Sequence, residues 1–225
     1  METRHHISDE MLFAYASGST SPQFDVVLAT HLTFCPACRA RLAQMEDLAG
    51  GLLEATAPES PEPASLDAVM ARLDGAEKVT EPGPLAAGRP AGEAGRTDVP
   101  APLAALLPAR SLDGLSWQAL VPGVKRFPLR QPGAQGDKLE LLRIAPGTTI
   151  PEHSHSGGEL TLILGGSYTD EFGRFQRGDI ADLDEQVTHQ PIADSGEDCI
   201  CLIAAEGQLR FKGLLPRLLQ PFIGF

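Results

Sequence analysis

Four cysteines, one tryptophan and two tyrosines in 225 residues give this chain little to cross-link and little to stack. Four thiols are too sparse for a disulfide scaffold, so they are expected to stay reduced in a cytoplasmic setting, free to hold metal. Positive charge is scarce too: 18 Lys and Arg stand against 30 Asp and Glu, a net charge of −12. Such a surface repels phosphate, which excludes nucleic acid as a direct partner. No apolar run approaches the roughly 20 residues of a spanning helix, which excludes membrane insertion through helices. Met1 to Glu10 lacks a basic stretch followed by an apolar one, so no secretory signal is expected.

The composition shifts twice along the chain. Residues 1–76 carry helical periodicity, residues 77–102 read as a Pro/Gly/Ala linker, and residues 103–225 read as mostly strand. The stretch 77–100 holds four Pro and four Gly in 24 residues without hydrophobic period, too little apolar surface to offset ordering entropy. The fold class that follows is two domains, a small all-α helical domain and then an all-β barrel.

In the helical part, Ser8 suits an N-cap, with Asp9 and Glu10 in the first turn opposing the helix dipole. A second helix opens at Ser21-Pro22 and aligns Phe24, Val27, Leu28 and Leu32 on one stripe. A third follows Cys35-Pro36 with Leu42, Met45, Leu48 and Leu52, and a fourth starts at Ser65 with Leu66, Val69, Met70 and Leu73. The core is small, and bound metal would supply the missing stability. In the barrel part, residues 138–144, 159–164 and 199–203 are β-prone runs separated by glycine turns.

His31, Cys35 and Cys38 form the first chemical constellation. His31 and Cys35 share a helix face, and Cys38 begins the next helix, where unpaired N–H groups favour a thiolate. Three N and S ligands suit tetrahedral zinc, with His5 or His6 as the fourth. A redox dithiol is the competing reading, but the strand-then-helix context of such sites is missing. Here the chain resembles the zinc-binding anti-sigma domain, and its wider sequence resembles the ChrR type, in RHHISDEMLFAYASG, VVLATHLTFCPACRARL and the tail LPRLLQPF. That resemblance implies His6 as the ligand, zinc as the metal, and an extracytoplasmic-function sigma factor as the partner kept from core RNA polymerase. Residues 1–76 hold four basic and eleven acidic side chains, a balance that can cover a basic face on such a partner. Leu66, Val69, Met70 and Leu73 have little to pack on beside a long linker, so they are candidates for docking in its groove.

The second constellation is His153, His155, Glu159 and His189. Gly147-x5-His153-x-His155-x3-Glu159-x6-Gly166 resembles the first cupin motif, and His189 falls at the histidine of the second. Two His one apart on a strand face the same way, so with Glu159 and His189 from neighbouring strands they converge inside a barrel. Such a set suits Zn, Mn, Fe or Ni. The resemblance implies a cupin jelly-roll with a zinc site of three His and one Glu. Asp184, Gln186 and Ala193 stand where the second motif has Pro, Gly and Asn, so the turn before His189 is expected to differ. Cys199 and Cys201 share a strand face; they are small core residues or, on a sharper reading, a redox pair near the metal.

These features favour a non-enzymatic regulator over the alternative, a cupin oxygenase or isomerase with a zinc regulatory module. The resemblance further implies that the barrel senses singlet oxygen or a related oxidant and releases the sigma factor.

Overall fold

A computed structural model describes residues 3–60, 62, 65–75, 99–108, 110–112, 114–129, 137–207 and 209–211. Residues 77–98 of the expected 77–102 linker and the 215–222 tail lie outside the described residues.

Among the described residues five helices come first: α1 (Asp9–Ala16), α2 (Pro22–Phe34), α3 (Pro36–Glu54), α4 (Ser65–Gly75) and the single turn α5 (Ala101–Ala104). Ser8 caps α1 as its sequence indicates, its hydroxyl accepting from the Met11 N–H. Pro22 and Pro36 open α2 and α3 where a missing N–H costs nothing. α3 runs further than its apolar neighbours do. At about 1.5 Å per residue it is more than twice as long as α1, so Leu42 and Met45 pack while Leu48, Leu52 and Leu53 project into solvent. α5 falls partly within the stretch assigned to the linker. Val99, Leu103 and Leu107, four apart, bury in one cluster with α2 and account for its order.

Among the described residues twelve strands follow, arranged in three antiparallel sheets. The largest has the order β1 (Gln118–Val121), β2 (Val124–Pro128), β3 (Lys138–Ile144), β11 (Cys199–Ala205), β5 (Glu159–Gly165) and β8 (Ile180–Leu183). The second joins β10 (Ile192–Ala193), β6 (Ser167–Asp170) and β7 (Gly173–Gln176). The third joins β12 (Leu209–Phe211), β4 (His153–His155) and β9 (Thr188–His189). Side chains alternate along the large sheet: Leu142, Ile144, Ile163 and Cys201 fill an inner cluster with Tyr168 and Phe175 of the second sheet.

The opposite face of the large sheet is also apolar, and the helices cover it. Leu139, Leu141, Leu160, Leu162 and Leu202 share a cluster with Phe24, Val27 and Leu28 of α2 and with Leu12 of α1. The small helical core thus gains its missing burial from the barrel wall. Leu28 is fully buried at this junction. Leu28→Ala is expected to destabilise the protein by about 2–5 kcal/mol, read as a lowered denaturant midpoint.

Two candidate metal centres

At the α2–α3 junction, one ligand atom from each of His6, His31, Cys35 and Cys38 lies within 4.8 Å of all the others. The helix break at Cys35 creates this arrangement. Cys35 is extended, ends α2 and caps α3, and its Sγ accepts from the Cys38 N–H at 3.3 Å. His6 Nδ1 stands 3.2 Å from Cys35 Sγ and 3.7 Å from Cys38 Sγ, and His31 Nε2 stands 3.4 Å from Cys38 Sγ. His5 turns away: its ring stacks on Phe175 at 3.9 Å and its Nε2 lies 3.2 Å from the Arg174 carbonyl oxygen. His31, Cys35 and Cys38 are wholly buried, whereas His6 forms the exposed side of the group.

The thiols differ. Burial pushes Cys35 up, but the Thr3 hydroxyl and the N–H and side chain of Cys38 outweigh it and hold Cys35 below the ordinary thiol range. Burial, with the Cys35 side chain adding to it, pushes Cys38 up to about 11. Two sulfurs and two imidazoles facing one point, with one thiol already biased toward thiolate, match a tetrahedral Cys2His2 donor set.

In the barrel, His153 and His155 lie two apart on β4 and both point inward, and β9 pairs with β4 so that His153 faces His189. The three imidazoles bring one nitrogen each within 4.8 Å of the others. Each ring is held through Nδ1. His153 Nδ1 donates to the Pro151 carbonyl at 2.8 Å, His155 Nδ1 lies 3.2 Å from Glu159, and His189 Nδ1 lies 3.1 Å from Asp170. The Nε2 atoms of His153 and His189 are 3.2 Å apart, and that of His155 is buried without a hydrogen-bond partner. Buried polar atoms are rarely orphaned, and three convergent imidazoles, each held at Nδ1 by a carboxylate or a carbonyl, fit a divalent metal ion. Glu159 joins the site through His155 and accepts from the Thr161 hydroxyl at 3.0 Å.

Sequence reasoning missed Asp170, which comes from the β6–β7 hairpin of a different sheet. The altered turn before His189 is built as a side-chain turn: Asp184 Oδ1 accepts from the Gln186 and Val187 N–H groups, replacing the rigidity of Pro. Cys199 and Cys201 are buried in the inner cluster, and neither belongs to the metal-competent group. The Cys199 side chain, with burial, holds Cys201 well above the ordinary thiol range.

Burial lowers His31 and His153 to about 4, against the opposing pull of the Gly178 carbonyl on the first and Glu159 on the second. In the metal-free protein both rings are therefore neutral at pH 7, while in the unfolded chain they titrate near 6.5. The unfolded state takes up protons first on acidification. Stability is full above about pH 6.5 and is expected to fall toward pH 4, by on the order of 3 kcal/mol per ring. Urea unfolding of chelator-treated protein across that range measures it, and a flat profile would contradict the burial of neutral rings.

Comparison with known proteins covers both halves of the chain. Residues 109–209 match the family described as the ChrR cupin-like domain. The anti-sigma-E factor ChrR of Cereibacter sphaeroides is 42% identical over 222 residues, 99% of each chain. The crystal structure of Rhodobacter sphaeroides SigE in complex with the anti-sigma ChrR matches with a TM-score of 0.73 and 39% identity, over 91% of this chain and 99% of that one. Among the described residues no helix is long and apolar enough to cross a membrane. The similarity runs along nearly the whole length, helical part and barrel alike, and the chain belongs to the ChrR family of anti-sigma factors.

Proposed function

We propose that this protein is a cytoplasmic anti-sigma factor that binds an extracytoplasmic-function sigma factor, keeps it from core RNA polymerase, and releases it under oxidative stress of the singlet-oxygen type sensed through the barrel. The observation that carries the reading is the relation over nearly the whole chain to an anti-sigma factor whose relative is seen bound to its sigma factor. The chain's own surface agrees with it. Leu66, Val69, Met70 and Leu73 of α4 are 50–68% exposed, and Leu48, Leu52 and Leu53 continue the apolar character along the end of α3. Exposed large apolar side chains clustered on a helix in this way support a role as an interface.

His6, His31, Cys35 and Cys38 would hold zinc, and zinc there would lock the α2–α3 corner to the N-terminal segment. His153, His155 and His189 would hold the second metal, also zinc, with Glu159 and Asp170 orienting two of the rings; Glu159 remains the candidate fourth ligand. The domain division follows the same lines, 1–76 for partner binding and 103–225 for sensing. Cys199 and Cys201 stay candidates for an oxidant-sensitive pair within the sensor. Three convergent imidazoles could instead serve a cupin oxygenase or isomerase, and turnover by the purified protein would favour that reading.

The test is a tagged pull-down from native extract, with and without a strong zinc chelator. A sigma factor retained near one-to-one and lost with chelator is the expected result. Recovery of none in either condition overturns it.

A further inference from the structure

The barrel reaches into the Cys/His cluster through one short stretch, residues 178–182. His31 Nδ1 donates to the Gly178 carbonyl at 2.9 Å, which turns Nε2 toward Cys38. Asp179 is fully buried. Its Oδ1 accepts from the N–H groups of Arg4 at 2.6 Å and His5 at 3.2 Å, and its Oδ2 accepts from the Gln176 N–H at 3.0 Å. The Ile180 N–H donates to the His5 carbonyl at 3.4 Å. Beyond His6, the Ser8 hydroxyl and N–H donate to Asp182 Oδ2 at 2.6 and 3.2 Å. The backbone is therefore tied to the barrel on both sides of His6.

A carboxylate sealed from water is costly unless its hydrogen bonds are made. All three bonds of Asp179 go to backbone N–H groups, and two of these lie in the segment that delivers His6. Two of the four donors of the cluster, His6 and His31, are thus placed by barrel atoms.

We propose that Asp179, together with the Gly178 carbonyl, positions the ligands of the N-terminal metal centre, so that the barrel completes a site whose four donors all belong to the helical half. The inference rests on the reading of His6, His31, Cys35 and Cys38 as a metal centre. It also joins the two centres mechanically. β8, which begins at Ile180, pairs Leu183 with Glu159 on β5 and leads into β9 with His189.

The test uses the full chain titrated with cobalt(II). Thiolate charge-transfer bands report the Cys35–Cys38 centre alone, because the barrel triad has no sulfur donor, and native mass spectrometry counts the metals per chain. Absence of these bands in the unsubstituted chain removes the metal reading and this inference with it. Given the bands, Asp179→Ala is expected to weaken cobalt binding at the thiolate centre by about 10–100-fold in chelator competition, with the barrel metal retained. Thiolate-centre affinity within about twofold of the unsubstituted chain overturns the proposal. So does an equal fall at both centres, which would make Asp179 a support of the barrel only. Asp179→Asn keeps an acceptor for the Arg4 and His5 N–H groups but turns its amide NH2 toward the Gln176 N–H, so it is expected to leave a smaller, several-fold loss confined to the thiolate centre. Should the alanine chain not fold, a several-fold loss in the asparagine chain confined to the thiolate centre supports the proposal, and no loss there overturns it.

Discussion

Replacing both Cys35 and Cys38 with serine is expected to abolish sigma-factor capture while the barrel stays folded. Serine keeps the size and a hydrogen-bonding atom but removes the soft thiolates that a Cys2His2 site depends on, so half of the donor set is lost. A metal would tie the exposed His6 to the end of α2 and the start of α3, beside the Arg41 bond to the Ile7 carbonyl, and the binding energy of such a metal is folding energy for the segments it joins. The damage is local, because α2 keeps its packing on the sheet through Phe24, Val27 and Leu28. Partner affinity should therefore fall by at least about 100-fold while the main thermal transition of the barrel moves little. Isothermal titration against the purified sigma factor and a thermal melt on the same samples check both halves. Unimpaired binding by the doubly substituted chain would remove metal from the inhibitory mechanism.

The second large effect concerns α4. Leu66→Ala combined with Met70→Ala should reduce sigma-factor affinity on the order of 100-fold, each side chain supplying about 1–2 kcal/mol once buried against the partner. Both residues are at least half exposed in the free protein, so folding stability should be unchanged. Alanine is chosen because it preserves helix propensity and adds no charge to an already acidic module. Wild-type affinity in this variant would move the docking surface elsewhere, and the exposed leucines at the end of α3 would be next.

Local signals carried a large part of this architecture. The cap at Ser8, Pro22 in the first turn of α2, the stripe on α2 and the three long strands are short-range patterns that the structure follows closely, although Ser21, expected to cap α2, makes no side-chain capping bond. Histidine and cysteine spacing marked both clusters, because ligands on one helix face or one strand face are set by backbone periodicity. What stayed hidden depends on register between distant elements. Asp170 backs His189 only because the β6–β7 hairpin folds over β9, and Asp179 clamps Arg4 from 175 residues away. The choice between His5 and His6 is of the same kind: the two differ by which side of an extended segment meets Phe175. The docking of the helices on the sheet could have been suspected from β5, where Leu160, Leu162 and Leu164 make one face wholly apolar while Glu159, Thr161 and Ile163 take the other, barrel-side face.

That doubly apolar sheet constrains how the protein can change state. Were the helices to swing free, the leucines of β3, β5 and β11 and the inner stripe of α2 would meet water together. A surface of that kind is what proteases and chaperones treat as damage. A full separation would be spent once, ending in turnover of the chain, and recovery of the silent state would wait on new synthesis. A reversible response is confined to movements small enough to keep that wall covered.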